Sequence, residues 1–358
     1  MTPTELLSNI SNMPPSAFFA SLVDVHNNFH FFDKIATPEI IIFEFILVAF
    51  SIISIIFLRK KENKVITRWF IGFLIFTLFQ MFTASMFSTV RLGLWAYIYI
   101  KTSWIMSMAW ASFILLSDYI ANKYLGKYTI KNFLLSTVIL SFIAILFEAI
   151  MMNLGIRVFS EGTLKAFSQT TITFFPFYYS FIISLFVMSF YKYWNLKIDN
   201  KLITPVKKNN LLSFFVCFIG ILSFDIMTRT MVNNVGFWNW SYVVPNVSIV
   251  LTLIGTIMIW LSVTLIDEYL GYFGILKKFV LYFTISIVPV FFLEVFLIGK
   301  GMRIYGQETI NNFSGFTIPI INLPVEIFLG STFYLLIVLP FVTYIIFLMN
   351  QGHKKINK

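Results

Sequence analysis

An all-α integral membrane protein with about nine transmembrane helices is the fold class this sequence predicts, and three observations predict it. The chain of 358 residues is 58% hydrophobic and only 12% charged, with a mean hydropathy of +0.85, outside the range of soluble domains of this size. Its apolar residues fall in runs close to the ~20 that a helix needs to cross hydrocarbon. Its Lys and Arg are divided unequally between alternate connections, as the positive-inside rule requires.

Nine runs read as spans: 39–58, 67–88, 95–117, 130–152, 171–191, 211–229, 246–266, 279–299 and 324–349. Residues 1–38 form an extramembrane segment, too polar and too often interrupted by Pro for a signal peptide. Residues 39–349 form the transmembrane domain, and 350–358 a basic cytoplasmic tail.

Charge orients the spans. After the odd-numbered ones come Arg59, Lys60, Lys61, Lys64, Arg68, Lys123, Lys127, Lys131, Lys192, Lys197, Lys201, Lys207, Lys208, Lys277, Lys278, Lys354, Lys355 and Lys358, 18 of the 26 cations. The other side holds Lys34, Arg91, Lys101, Arg157, Lys165, Arg229, Lys300 and Arg303. This bias predicts an N-terminus outside and a C-terminus in the cytoplasm. The chain is expected in the cell membrane, the inner membrane if bacterial. The net charge of +10 reads as this bias, with no nucleic-acid partner.

Several chemistries have no residues to carry them. Cys217 is the single cysteine, and His26, His30 and His353 lie outside the spans, so no metal site is expected. No Ser-His-Asp set, phosphate-binding loop or dinucleotide fingerprint is present. No cofactor is therefore expected.

The acids are the unusual feature. Glu44 lies early in the first span, Glu148, Asp225 and Glu294 late in the fourth, sixth and eighth, and Glu326 opens the ninth. The orientation puts all five at one depth, in the outer part of the membrane, with Arg91, Arg157, Arg229 and Arg303 in or beside the same layer. A charged side chain at a helix centre costs on the order of 2.5–3.5 kcal/mol by insertion scales, less near the interface.

The surroundings of these acids recur. Glu294 is followed by Gly301-Met-Arg303-Ile-Tyr305, and then by Pro319, Pro324 and Glu326. Weaker versions run from Glu148 through Gly155, Arg157 and Phe159 to Pro176, and from Asp225 through Gly236, Trp238 and Trp240 to Pro245. A fourth runs from Gln80 through Gly93, Trp95 and Tyr97, with an amide in place of the acid. The spans thus pair into helix–loop–helix units over about 67–117, 130–191, 211–266 and 279–349. Gly lets the chain turn, Trp and Tyr anchor at the interface, and Pro restarts a helix where its missing N–H costs little. Those features are general to membrane proteins; the acids are not.

A carboxyl and a carboxylate in one cavity suit protonation of a double bond or hydroxyl and removal of a proton nearby. Glu294 or Glu326 is the expected proton donor, Glu148 or Asp225 the expected base, with Arg157 and Arg303 tuning them. Aromatic faces stabilise cations; the candidates are Trp95, Tyr97, Trp104, Tyr178, Tyr179, Trp238, Trp240 and Tyr305. Glu44, Gln80, Arg157, Trp238, Trp240, Arg303, Tyr305 and Tyr178 are the expected substrate contacts.

At these residues the sequence resembles a group of polytopic membrane enzymes: heterodimer-type lycopene cyclases, carotenoid hydratases and avermectin-type spirocyclases. Glu148-Ala149, Gly155-Ile-Arg157-Val-Phe159 and Phe175-Pro176-Phe-Tyr178 resemble the spirocyclase pattern. So do Glu44 and Gln80 with the basic Arg59-Lys60-Lys61 between them. Leu323-Pro324-Val325-Glu326 resembles an element of the lycopene cyclases. The motifs are short and scattered over 40–330, with Tyr179 where the spirocyclases have Glu and one acid, Glu326, where the cyclases have two. The resemblance implies an isoprenoid- or polyketide-like lipophilic substrate and proton-driven cyclisation, hydration or dehydration without a cofactor. Two other classes stand beside it. A transporter or channel also uses intramembrane acids and internal repeats, but here the acids lie near one face and the spans are expected to run unbroken. A lipid-binding or assembly subunit would use the acids as separate latches to Arg.

Overall fold

Long helices dominate the computed structural model, which describes residues 37–356 apart from 100, 169–173, 202–209, 312–314 and 319–322. Pro319, His26 and His30, and nearly all of the expected N-terminal segment, lie outside the described residues. Among the described residues the nine long helices are α1 Pro38–Arg59, α2 Val65–Phe82, α3 Trp104–Tyr124, α4 Ile130–Asn153, α5 Phe174–Ile198, α6 Asn210–Thr228, α7 Ile249–Tyr269, α8 Ile275–Gly299 and α9 Val325–Ile356. Among the described residues, eight helices are long and apolar enough to cross a membrane, as in a multi-pass membrane protein. The remaining one, α5, carries Lys192 between Tyr191 and Tyr193.

Boundaries differ from the expected spans for local reasons. Short strands at Phe87–Thr89, Tyr97–Tyr99 and Thr102–Ser103 and a 3₁₀ turn at Leu94–Ala96 precede α3, so it starts at Trp104 and not at 95. Helix α8 starts at Ile275 and buries Lys278. Helix α9 continues through most of the expected tail, to Ile356. Pro289 lies inside α8 and Pro340 inside α9, yet both helices run through.

Each even connection contributes at least one strand to a two-stranded ladder. Strand β1 (Phe87–Thr89) pairs antiparallel with β4 (Arg157–Phe159), and β5 (Val232–Asn234) with β8 (Arg303–Tyr305). Between them, β2 (Tyr97–Tyr99) pairs with β3 (Thr102–Ser103), and β6 (Tyr242–Val244) with β7 (Val247–Ser248). Strands β9 (Thr317–Ile318) and β10 (Leu323–Pro324) pair before α9. Short strands suit this place, since backbone N–H and C=O groups outside a helix still need partners.

The helices form two rings of four. In the first, α2, α3, α4 and α5 each pack on the next and α5 closes on α2; in the second, α6 to α9 do the same. Helices α5 and α9 pack on each other and join the rings, while α1 lies outside the first ring against α3 and α2.

The second ring repeats the first down to single hydrogen bonds. Thr83 and Thr228 each donate back to the carbonyl four residues earlier. Ser160 N donates to Met86 O, and Gly306 N to Met231 O. Val90 N donates to Ile156 O, and Val235 N to Met302 O. Thr89 faces Arg157 where Asn234 faces Arg303. Tyr97 faces Ser103 where Tyr242 faces Ser248. This register corrects the sequence alignment. Asp225 corresponds to Gln80, Glu294 to Glu148, and Trp240 to Trp95; Gly236 corresponds to Arg91, not to Gly93. Arg91 and Gly236 are the left-handed residues of that turn, at φ 60 and 77°. Glycine suits the second, and the first carries a side chain at a position L residues rarely adopt.

Candidate functional site

The ladders place one Arg in each ring beside one Glu. In the first ring, Glu148 in the last turns of α4 meets Arg157 on β4. Arg157 Nε donates to Glu148 Oε2 at 2.9 Å and Nη2 to Oε1 at 3.0 Å. Its Nη1 donates to Thr89 Oγ1 at 3.0 Å, and its guanidinium lies 4.5 Å over the Phe87 ring. The bidentate pair and the further acceptor give each of the three Arg157 nitrogens a partner, and the aromatic face covers the guanidinium. Gln80, across the same ring, is held by Ser107 Oγ at 2.8 Å and by the backbone of Ser103.

The second ring has the same frame with different groups. Arg303 Nη2 lies 3.1 Å from Glu294 Oε2. Tyr305, in place of Phe159, donates to Glu294 Oε1 at 2.6 Å. Burial, and then the adjoining Glu294 carboxylate, push the Tyr305 phenol well above its ordinary pKa, which keeps it a donor. Asp225 stands where the first ring has Gln80, and accepts from Thr252 Oγ1 at 2.8 Å. Among the described residues, Arg303 Nε, Asn234 Oδ1 and Thr230 Oγ1 are buried without a hydrogen-bond partner. The second ring therefore holds a second acid, Asp225, beside the Arg303–Glu294 pair, and an Arg303 Nε without a partner among the described residues; Ser85 Oγ, at the place of Thr230, is likewise buried without one in the first ring. The first holds one carboxylate around a saturated guanidinium.

The remaining expected site residues are distributed as follows. Glu44 is fully buried but belongs to a third arrangement: it accepts from Gly93 N at 2.5 Å and Trp95 Nε1 at 2.7 Å, tying α1 to the loop after β1. Glu326 opens α9, half-buried. Tyr178 donates to Ser223 O at 3.4 Å, linking α5 to α6 two residues before Asp225. Trp238 and Trp240 are 67% and 71% exposed and stack on each other at 5.9 Å, away from the carboxylates. Among the described residues, no hydrogen bond or ion pair joins Glu148 to Asp225 or Glu294. The acids expected to share one site between the fourth, sixth, eighth and ninth spans are thus divided: Asp225 and Glu294 belong to the second ring, while Glu148 sits in the other ring with its own Arg.

Sequence reading missed the partners Thr89, Asn234 and Thr252, and a set of ion pairs at the opposite end of the helices. Lys192 reaches Asp118 Oδ1 and Asn132 Oδ1, each at 2.5 Å. Arg68 and Tyr128 both bond Asp199, and Lys278 and Tyr282 both bond Asp267. The signal was available: Lys192 interrupts an apolar run, and Asp118 and Asp267 close equivalent helices. Arg68, Lys192 and Lys278 are buried, so these cations of the charge bias are ion-paired inside the fold. Burial of such pairs demands good geometry and further hydrogen bonds, which Asn132, Tyr128 and Tyr282 supply.

No family model, no curated relative and no solved structure matches the chain.

Proposed function

We propose that the second ring is a membrane-embedded, cofactor-independent acid–base site acting on a lipophilic substrate of isoprenoid or polyketide type. The observation that carries this reading is the pair Asp225 and Glu294 around Arg303, set against Gln80 and the saturated Glu148–Arg157 pair in the same frame. Arg303 offsets one of the two negative charges, and a shared proton would neutralise the other. Glu294 faces Arg303 and accepts a hydrogen bond from Tyr305, the acceptor role that a base requires. It is thus assigned the base, and Asp225 the proton donor, the reverse of the assignment expected from sequence. Asp225 adds a proton to a double bond or hydroxyl, and Glu294 removes one from a neighbouring carbon. The outcome is cyclisation or dehydration; hydration follows where water captures the cation. In the cell membrane the charge bias places the N-terminus outside, the C-terminus in the cytoplasm and this site in the outer leaflet, with α5 as a ninth span.

Deuterium uptake tests the proposal. Membranes holding the protein, incubated in D2O with the lipid extract of the source cells, should incorporate deuterium into an extractable lipid. Asp225→Asn should lower that incorporation by about 10²–10⁴-fold, the range of general acid–base catalysis, while the protein still assembles. Equal incorporation in both preparations would remove the acid–base reading. It would leave the reading favoured by Glu44 and Glu148, each saturated by its own partners: a non-catalytic lipid-binding or assembly subunit. Substrate-dependent uptake into sealed vesicles without deuterium incorporation would favour a transporter.

A further inference from the structure

The layer one turn below Gln80 and Asp225 is built differently in the two rings. In the first it is packed with aromatic side chains. Trp110, three residues after Ser107 on α3, is buried and stacks on Phe76 of α2 at 4.6 Å, with Phe147 of α4 edge-on at 5.9 Å. The register of the two rings puts Ile221 at the place of Phe76, Gly255 at the place of Trp110 and Leu293 at the place of Phe147. Each replacement is smaller, and the largest side chain of the three has become a hydrogen atom.

One aromatic side chain enters this layer from the far side. Helices α7 and α9 both pack on α6 and on α8, so they face each other across the ring. Tyr334 of α9 lies against Phe224 of α6, with ring centroids 5.1 Å apart. Its hydroxyl reaches α7: a Cβ at Gly255 would stand 3.7 Å from Tyr334 Oη and 3.9 Å from Ile221 Cγ2. Gly255 follows Thr252 by three residues, so the hydroxyl lies about one helical turn, ~5 Å, below the Asp225–Thr252 bond. Tyr334 Oη makes no hydrogen bond among the described residues. A phenol O–H left without an acceptor in an apolar interior is costly. The hydroxyls of Tyr191 and Tyr344 are shut in by packing, whereas Tyr334 and Gly255, which face each other inside the ring, are both half-buried. Asp225 above them is half-buried too, where Gln80 is 3% exposed.

We propose that Tyr334 binds an oxygen atom of a lipophilic molecule held inside the second ring, beneath Asp225. The hydroxyl donates to a carbonyl, ether or hydroxyl oxygen, and Phe224, Ile221 and the bare backbone of Gly255 receive the apolar part next to it. These neighbours carry no charge, which selects a neutral oxygen over a carboxylate or a phosphate. In the first ring Trp110 fills the corresponding place. The inference rests on the proposed acid–base reaction only in taking this molecule to be its substrate, which Tyr334 then orients against Asp225.

Binding of tritiated farnesol and tritiated farnesene, one carbon skeleton with and without a hydroxyl, tests this on the full chain in lipid nanodiscs. The parent should bind farnesol saturably and about tenfold more tightly than farnesene, the worth of one net hydrogen bond. Tyr334→Phe should bind the two within about twofold of each other. It should also melt as the parent does, because the lost hydroxyl leaves no described partner behind. Equal affinity of the parent for the two probes, no saturable binding of farnesol, or an undiminished preference in Tyr334→Phe would each overturn the inference. A preference that Tyr334→Phe abolishes, in a chain that incorporates no deuterium, would keep the binding site and remove the acid–base reaction. Deuterium incorporation without that preference would do the reverse.

Discussion

Arg157 holds Glu148 through two parallel N–H···O bonds of 2.9 and 3.0 Å, whereas Arg303 Nη2 lies 3.1 Å from Glu294 and Arg303 Nε has no partner among the described residues. The two pairs occupy equivalent places in a duplicated frame. The proposed function gives the first pair a structural role and the second a chemical one.

Arg157→Ala strands Glu148 and empties the space over Phe87. Removing one member of a buried pair costs about 3–5 kcal/mol, so the variant should unfold at a clearly lower temperature in detergent. Arg157→Lys should recover less than half of the loss, because an ammonium cannot make the bidentate bond. Arg303→Ala should cost less stability than Arg157→Ala. The reverse order in a thermal melt would contradict the assignment of the first ring as the structural one.

Tyr305 gives a pH dependence of known sign. Its phenol is pushed up by burial and by Glu294, so above the ordinary phenol pKa of about 10 the unfolded chain has lost a proton that the folded chain keeps. Stability contributed by Tyr305 is therefore present below that pH and is lost as pH rises beyond it. Tyr305→Phe should be less stable than the parent at pH 8, by about 1–3 kcal/mol for a hydrogen bond to a charged group. The gap should narrow above pH 10. Chemical denaturation at the two pH values checks this, and a constant gap would count against it.

Glu44 anchors α1. Glu44→Gln keeps one acceptor oxygen and places an amide donor opposite an N–H, so it should loosen the helix at a cost of about 1–3 kcal/mol. Emission from a variant retaining Trp95 as its single tryptophan should shift on this substitution, and proteolysis ahead of α1 should quicken. An unchanged spectrum would mean that the indole bond does not hold in the membrane.

Gly220 on α6 backs the Phe341 ring, which joins the two rings. A Cβ there would lie 2.4 Å from Cε1 of Phe341 on α9, and that ring packs 5.0 Å from Phe186 on α5. Overpacking a filled core costs about 1–3 kcal/mol, so Gly220→Ala should destabilise by that amount. Gly255→Ala, whose Cβ meets nothing nearer than 3.7 Å, should change little. Thermal melts of the two single variants make the comparison, and equal effects would show that Phe341 yields freely.

The sequence by itself determined the long apolar helices, their alternation with polar connections, and the gathering of Glu44, Glu148, Asp225 and Glu294 at one end. Each of these is a local property: a run of apolar residues must become a helix in lipid because its backbone has no other partner, and the distance of an acid from the end of its run gives its depth. Which acids meet was not local. Glu148 and Asp225 looked alike along the chain, but the ladders between β1 and β4 and between β5 and β8 put them in different rings and in different roles. The pairing of Gly93 with Gly236 was a plausible match of letters, and only the hydrogen bonds of Tyr97 and Tyr242 to the backbone five residues earlier set the true register. Contacts between helices depend on which faces adjoin, and the periodicity of an apolar helix buried on several sides carries almost no record of that.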